Sequence, residues 1–221
     1  MTSFTLGKNF QQTFLGLKSF KEIDLHQRSL VSEIGGTDKI FILGMEFCPV
    51  ITLGLRAAQQ SQELILIRPK EELVSESLAV ETTDRGGLAT VHSPGQLVIY
   101  PMLDLKHYRL GIKNFIDFLF ACTSELLTRQ GIVNHYDPEK PGLYTDHGKI
   151  AFVGIKVDHG VVRHGISINV SNDLGLFDHI LSCGIKCQHH DKIENHLKLN
   201  ESHSLSLLFN EWIEIFKTRF S

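Results

Sequence analysis

Apolar side chains recur at helical spacing in three stretches of the chain. From Phe20 to Ile34 the residues Ile23, Leu30, Val31 and Ile34 share a face, with Gln27 a polar interruption of it, and Gly35-Gly36 supplies the stop. From Ile112 to Gln130 the face is Ile112, Phe115, Ile116, Leu119, Leu126 and Leu127, and Gly131 stands where a helix C-terminus favours it. The third stretch, Leu205 to Phe220, carries Leu208, Trp212, Ile215 and Phe216. Short apolar runs bounded by turn formers predict strands at Lys39–Gly44, at Leu64–Ile67 before Pro69, at Leu78–Glu81 and at Gln96–Tyr100 before Pro101. Ile150–Val157 and Val161–Val170 read as a hairpin joined through Asp158-His159-Gly160, and a helical turn is expected at Phe177–Leu181. Strands and helices do not alternate regularly. The expected fold class is therefore α+β, a mixed β-sheet flanked by helices, rather than a doubly wound parallel sheet. No linker, repeat or charge block divides the chain, so residues 1–221 are expected to form a single domain.

Composition narrows the function classes. The 221 residues are 42% hydrophobic and 21% charged, ordinary values for a globular chain, which argue against disorder and low-complexity scaffolds. Lysine plus arginine number 22 against 25 acidic residues, a formal charge of -3, so nothing biases the chain toward nucleic acid or an anionic membrane. No run approaches the roughly 20 apolar residues of a bilayer-spanning helix. Met1–Gln12 has neither a hydrophobic signal core nor an arginine, and a cytoplasmic, reducing setting is expected. Cys48, Cys122, Cys183 and Cys187 are then read first as free thiols. Twelve histidines keep metal and general-base chemistry in view.

Four segments can carry chemistry. Asp84 to Gln96 gathers Arg85, Gly86, Gly87, His92, Pro94 and Gly95 ahead of an apolar strand. Glycines let backbone amides approach a ligand, and Arg85 can fork onto a carbonyl, carboxylate or phosphate, although a tight turn accounts for the same glycines. Gly142 to Lys149 has the wrong spacing for a phosphate loop, with Ile150 where Ser or Thr is required. Cys183, followed by Gly184, can attack a thioester or ester carbonyl while neighbouring amides hold the oxyanion. An inert buried thiol is the plainer reading of any single cysteine, and it is kept for Cys48, Cys122 and Cys187. Lys149 opens an apolar strand. At an edge it would snorkel; buried beside a cysteine its charge would favour thiolate, and with a depressed pKa it would serve as a base. Polar residues also interrupt the strand at Arg163–Asn169, as a hairpin edge would. His179, Cys183 and Cys187 stand four apart, with His189, His190 and His196 following, but Gly184 breaks the helix that would align the first three. Neither C-x-x-C nor H-E-x-x-H occurs, so no metal is expected.

Taken in order, these segments resemble the lipoyl(octanoyl) transferase family, within the biotin/lipoate protein ligase-like superfamily. The resemblance is carried by Pro49-Val50-Ile51-Thr52-Leu53-Gly54, Arg85-Gly86-Gly87, Thr90-Val91-His92, Pro94-Gly95-Gln96, Pro141-Gly142-Leu143-Tyr144, Lys149-Ile150-Ala151, His164-Gly165, Asn169 and Cys183-Gly184. It runs from about Phe14 to Ile185 and leaves little room ahead of it for a substantial transit peptide.

The resemblance implies a biotin/lipoate protein ligase-like fold. It implies transfer of an octanoyl group from octanoyl-acyl carrier protein to a lysine of lipoyl domains, those of 2-oxoacid dehydrogenase complexes or the glycine cleavage H protein, as the first step of endogenous protein lipoylation. It also implies a Cys183 thioester acyl-enzyme with Lys149 as its dyad partner. The acyl pocket would be formed by Arg85, Gly86, Gly87, Leu88, Ala89, Thr90, Val91, His92, Phe152, Val153, Gly154, Gly165, Ile166 and Ser167. No cofactor, nucleic acid or membrane is called upon, and a monomer is expected. The chain departs from the family pattern at Val91, Ser93, Ser167 and Ser182, where an aromatic residue, Gly, Ala and Pro are usual. Ser93 is expected to narrow or polarise the pocket, and a basic patch of Arg85, Lys149 and Arg163 to meet acidic carrier domains. The competing readings are a non-catalytic binder of acyl or lipoyl carrier proteins and an ATP-dependent lipoate or biotin ligase that does not need the cysteine.

Overall fold

Residues 9–58, 66–67, 70–75, 77–181 and 189–220 are described by a computed structural model. They open on β1 (Phe10–Lys18), a half-exposed edge strand that its sequence does not announce because Gln11, Gln12 and Thr13 break any alternation. It pairs in parallel with β2 (Ile40–Phe47), and the register shifts between Phe14 and Leu17, where Gly16 takes a φ of 68°. Between them lies α1 (Phe20–Ile34), with the bounds its periodicity predicts. Ser19 caps it, its hydroxyl accepting from the Glu22 amide at 3.2 Å.

The chain continues through β3 (Val50–Leu53), the short helices α2 (Leu55–Ala58) and α3 (Lys70–Ser75), β4 (Ala79–Thr82), β5 (Ala89–His92) and β6 (Gln96–Met102). Then come α4 (Ile112–Arg129), β7 (His135–Tyr136), β8 (Leu143–Thr145), β9 (Gly148–Asp158), β10 (Val161–Asn169) and α5 (Leu205–Phe220). Among the described residues a seven-stranded mixed sheet has the order β1-β2-β6-β10-β9-β8-β7, and a three-stranded sheet the order β4-β3-β5. This is the α+β arrangement expected. The β9–β10 hairpin turns at His159 and Gly160, whose φ values of 50° and 97° both lie in the left-handed region that a two-residue turn of this hand requires.

The helices cover the large sheet because their apolar faces can be buried nowhere else. Phe20, Ile23, Leu30 and Ile34 of α1 pack with Phe41, Leu43, Met45 and Phe47 of β2. On a second core α4 and α5 lie together, and Trp212 donates to the Thr123 hydroxyl at 2.9 Å. A Cβ at Gly44 would stand 2.4 Å from the Phe209 ring, so only glycine lets α5 come this close to β2. Burying a side chain such as Trp212 or Phe209 contributes about 1.5–3 kcal/mol. The small sheet builds a third core of Ile51, Leu53, Val80, Ala89, Val91 and Phe152.

Three local readings need correction, and a fourth lies partly outside the described residues. Ala89–His92, inside the glycine-rich block, is a strand, because β3 offers it a partner. The turn expected at Phe177–Leu181 is a 3₁₀-helical turn at Leu174–His179, and Ile180 is already extended, bridging Leu66. Of the strand expected at Leu64–Ile67, residues 64–65 lie outside the described residues. The polar run Arg163–Asn169 is not a hairpin edge: β10 is flanked on both sides, and all nine of its residues are buried. Among the described residues no helix is long and apolar enough to cross a membrane.

Candidate functional site

A cavity of about 250 Å³ opens between the two sheets. One wall is β5 with the chain before it, and the other is formed by β6, β9 and β10. Lys149, second residue of β9, faces this cavity with 2% of its surface exposed. Its Nζ donates to the Pro141 carbonyl at 2.8 Å and lies 5.0 Å and 5.6 Å from the ring centres of Phe152 and Tyr144. The lysine is therefore buried among aromatic rings rather than a snorkelling edge residue.

The backbone of Lys149 is held from outside its own hairpin. Its amide donates to the His189 carbonyl and its carbonyl accepts from the Asp191 amide, both at 2.9 Å. The expected nucleophile Cys183 lies outside the described residues, as do Ser182, Gly184 and Cys187. The chain on either side is fixed: Ile180 bridges Leu66 before that segment, and His189 and His190 lie along Lys149 after it. His190 stacks on Phe177 at 4.1 Å between ring centres, and burial together with the neighbouring Lys149 charge pushes its pKa down to about 4. Sequence alone gives no sign that His190 belongs beside the lysine. The helix that would align His179 with Cys183 stops at His179.

Arg85 is committed to the protein backbone. Its guanidinium donates to the Thr52 carbonyl at 2.7 Å and hydroxyl at 2.9 Å, and to the Gly86 carbonyl at 2.9 Å. A Cβ on Gly54 would approach its Nη1 to 3.0 Å and the Gly87 carbonyl to 2.6 Å, which explains the glycine there. Arg85 therefore braces the glycine-rich turn and lends the cavity wall its positive charge.

His92 is neutral. Its Nδ1 stands 2.6 Å from the Gln96 Oε1, whose Nε2 donates to Asn169 Oδ1 at 2.9 Å, so His92 carries its proton on Nδ1. Burial pushes its pKa down to about 4, aided by the charge of Arg85. Asn169 passes the chain on, donating to the Asp191 carbonyl at 2.9 Å. A hydrogen-bonded path thus joins the cavity histidine to the segment that holds Lys149.

His164 lies on the facing wall, in β10, with a φ of 60°. Its amide donates to Gln27 Oε1 at 2.5 Å, which orients the Gln27 amide toward His164 Nδ1 at 3.4 Å. Nδ1 is then the acceptor, and the proton sits on Nε2, facing Asp84 Oδ1 at 3.2 Å. This is why Gln27 interrupts the apolar face of α1: it is buried against β10. Burial lowers the pKa of His164, and the hydrogen bond from His164, with Arg163 beside it, holds Asp84 well below the usual carboxylate range. Arg163 is wholly buried and paired with Asp84, with Asp158 at 3.4 Å and with Asp24 at 3.6 Å.

No basic surface patch is formed by Arg85, Lys149 and Arg163. All are buried, and Arg163 is neutralised by three carboxylates because a bare guanidinium in the interior would be too costly. Among the described residues the cavity is lined by Lys149, Arg85, Gly87, Leu88, Ala89, Thr90, His92, Phe152, Val153, Gly154, Gly165, Ile166 and Ser167. Gly86 and Val91 are absent from the lining; Val91 points into the core of the small sheet. Ser93 also lies outside it, buried with an unpartnered hydroxyl, and so does not narrow the pocket. Arg56, Val98, Tyr100, Glu139, Lys140, Pro141 and His164 complete the wall. Of these, Val98 and Tyr100 were legible as alternate residues of a strand, while Arg56 sits on the one-turn helix α2 and Glu139 on a connection, both without a local signal. Cys122 is buried in α4, and burial pushes its thiol up to about 12.

The family described as lipoyl protein ligase A/B catalytic domain matches residues 25–220. An octanoyltransferase of Halorhodospira halophila is 35% identical over 175 residues, covering 79% of this chain and 71% of that one. An octanoyltransferase of Neisseria meningitidis is 35% identical over 147 residues, covering 66% of this chain and 65% of its own length, just under two thirds. In fold, the chain is similar to a bipartite lipoate protein ligase from Thermoplasma acidophilum, solved in a study of it and its E2 lipoyl domain. The TM-score is 0.74 at 12% identity, covering 95% of this chain and 82% of that one.

Proposed function

This chain belongs to the lipoyl protein ligase A/B catalytic-domain family, on its octanoyltransferase side, and from that premise we propose that it moves an octanoyl group from acyl carrier protein to a lysine of a lipoyl domain. The observation that carries the reading is Lys149, a buried lysine on the wall of a partly apolar cavity, tied through its backbone to the chain that follows Cys183.

In the proposed reaction Cys183 attacks the carrier thioester. The new thioester forms on Cys183, the carbon–sulfur bond to the carrier breaks, and the thiol proton passes by way of Lys149 Nζ to the departing carrier thiolate. The acceptor lysine, arriving as the free amine, then attacks the Cys183 thioester. The amide forms, and a proton returns to the cysteine sulfur. Arg85 and the turn it braces border the space for the acyl chain, with Phe152, Val153 and Ile166 supplying apolar wall. Passing the acyl group from thioester to thioester to amide runs downhill and draws on no nucleotide.

Intact-mass measurement after incubation with octanoyl-acyl carrier protein tests this. The native chain is expected to gain one octanoyl group and the Cys183→Ala variant none. Absence of the adduct, an equal adduct on the variant, or lipoate-dependent pyrophosphate release that survives Cys183→Ala would overturn the reading.

A further inference from the structure

Away from the cavity, His147, Asp191 and His196 converge. One ligand atom from each lies within 4.8 Å of both others. Asp191 is completely buried, and among the described residues no lysine or arginine pairs with its carboxylate. Among the described ionisable side chains it meets the two imidazoles: His196 Nε2 at 2.5 Å from Oδ2 and His147 Nδ1 at 3.9 Å from Oδ1. A buried carboxylate without a countercharge is costly, and such groups are paired or ligate cations.

The arrangement has the marks of a metal site. Asp191 is pinned by the Thr145 hydroxyl, by the Lys192 amide at 2.8 Å and by Asn195 Nδ2 at 2.8 Å, as ligating carboxylates are held by groups behind them. The rings of His147 and His196 stack, 4.9 Å apart and within 18° of parallel, and their ligand atoms lie within 4.8 Å of one another and of the Asp191 carboxylate. Tetrahedral zinc with bonds near 2.0–2.1 Å holds its ligand atoms about 3.3 Å apart. His196 Nε2 stands 2.5 Å from one carboxylate oxygen and His147 Nδ1 3.9 Å from the other, so an ion would have to part His196 from Asp191.

We propose that His147, Asp191 and His196 form a binding site for one divalent transition-metal ion of the zinc class, with water completing the coordination. Two imidazoles and a carboxylate suit zinc and exclude the all-oxygen preference of magnesium and calcium. The ion clasps the β8–β9 turn, which carries His147, to the segment whose Asp191 amide holds the Lys149 carbonyl. It stands outside the cavity lining, so its effect on Lys149 is one of position.

Metal-stripped full-length protein titrated with cobalt(II), followed by its visible absorption, and with zinc against a chromophoric chelator tests the site. The expected result is one ion per chain, bound at least tenfold more weakly after His147→Ala and after His196→Ala, with binding retained in Cys183→Ser. His147 is 59% exposed, so its replacement keeps the fold and the test stands even if Asp191 variants do not fold. Thermal unfolding gives a second readout: zinc raises the midpoint of the native chain and not of His147→Ala. Absence of stoichiometric binding, binding unchanged in the His147→Ala, His196→Ala double variant, or binding lost with Cys183 or His189 instead would overturn the proposal.

Discussion

Gly142 is shaped around Lys149: a Cβ at position 142 would stand 2.2 Å from the lysine Cε and 2.9 Å from Nζ. The glycine leaves the channel through which Nζ reaches the Pro141 carbonyl. Gly142→Ala is expected to displace the lysine head while sparing the fold, because the far end of a flexible side chain yields first. Acyl transfer should fall roughly 10- to 100-fold, the cost of an ångström of misplacement. The thermal midpoint should move by no more than about 2–4 °C. Unchanged turnover would show that Lys149 need not occupy this position.

His92 makes stability depend on pH. In an unfolded chain a histidine titrates near 6.5, whereas burial brings His92 to about 4. Between those values the unfolded chain holds the proton and the folded chain does not. The contribution is therefore complete above about 6.5 and is lost as pH falls toward 4. His92→Gln should flatten the slope by up to about 1.4 kcal/mol per pH unit, read by urea unfolding at about pH 7, 6 and 5. Identical slopes would contradict a buried neutral His92.

Asp84 joins three elements by meeting Arg163, Arg28 and His164. Asp84→Asn removes the charge and leaves Arg163 short of a partner in the interior. The expected loss is about 2–4 kcal/mol of unfolding free energy in guanidinium titration, at the lower side of what breaking a buried pair costs because Asp84 keeps some solvent contact. A loss below about 0.5 kcal/mol would mean that Asp24 and Asp158 carry Arg163 unaided.

Ser93 offers the opposite sign. Its hydroxyl is buried without a hydrogen-bond partner among the described residues. Ser93→Ala is expected to leave stability unchanged or to raise it by up to about 1 kcal/mol, since an unsatisfied polar group is removed. Acyl transfer should not change, because the residue does not line the cavity. A large loss of either would expose a partner for the hydroxyl.

The sequence by itself determined the elements whose reasons are local. Phe20–Ile34, Ile112–Arg129 and Leu205–Phe220 fold as their periodicity predicts, because a helix satisfies its own backbone and needs only one apolar stripe to dock. The β9–β10 hairpin was legible in the same way, from a turn dipeptide between two apolar runs. β1 and β5 were not, because a strand exists only where a partner stands beside it, and neither sequence alternates strongly enough to reveal one. The ordered blocks of glycine, histidine and lysine carried the family resemblance. Only the tertiary structure decided what environment those residues have. It buried Lys149 beneath Gly142, spent Arg85 on the Thr52 backbone, and set Arg163 among carboxylates from α1, β9 and the loop before β5. It also joined His147 to Asp191 and His196 across a long gap in the chain. Charge, burial and ligand geometry depend on distances through space, which spacing along a chain does not encode.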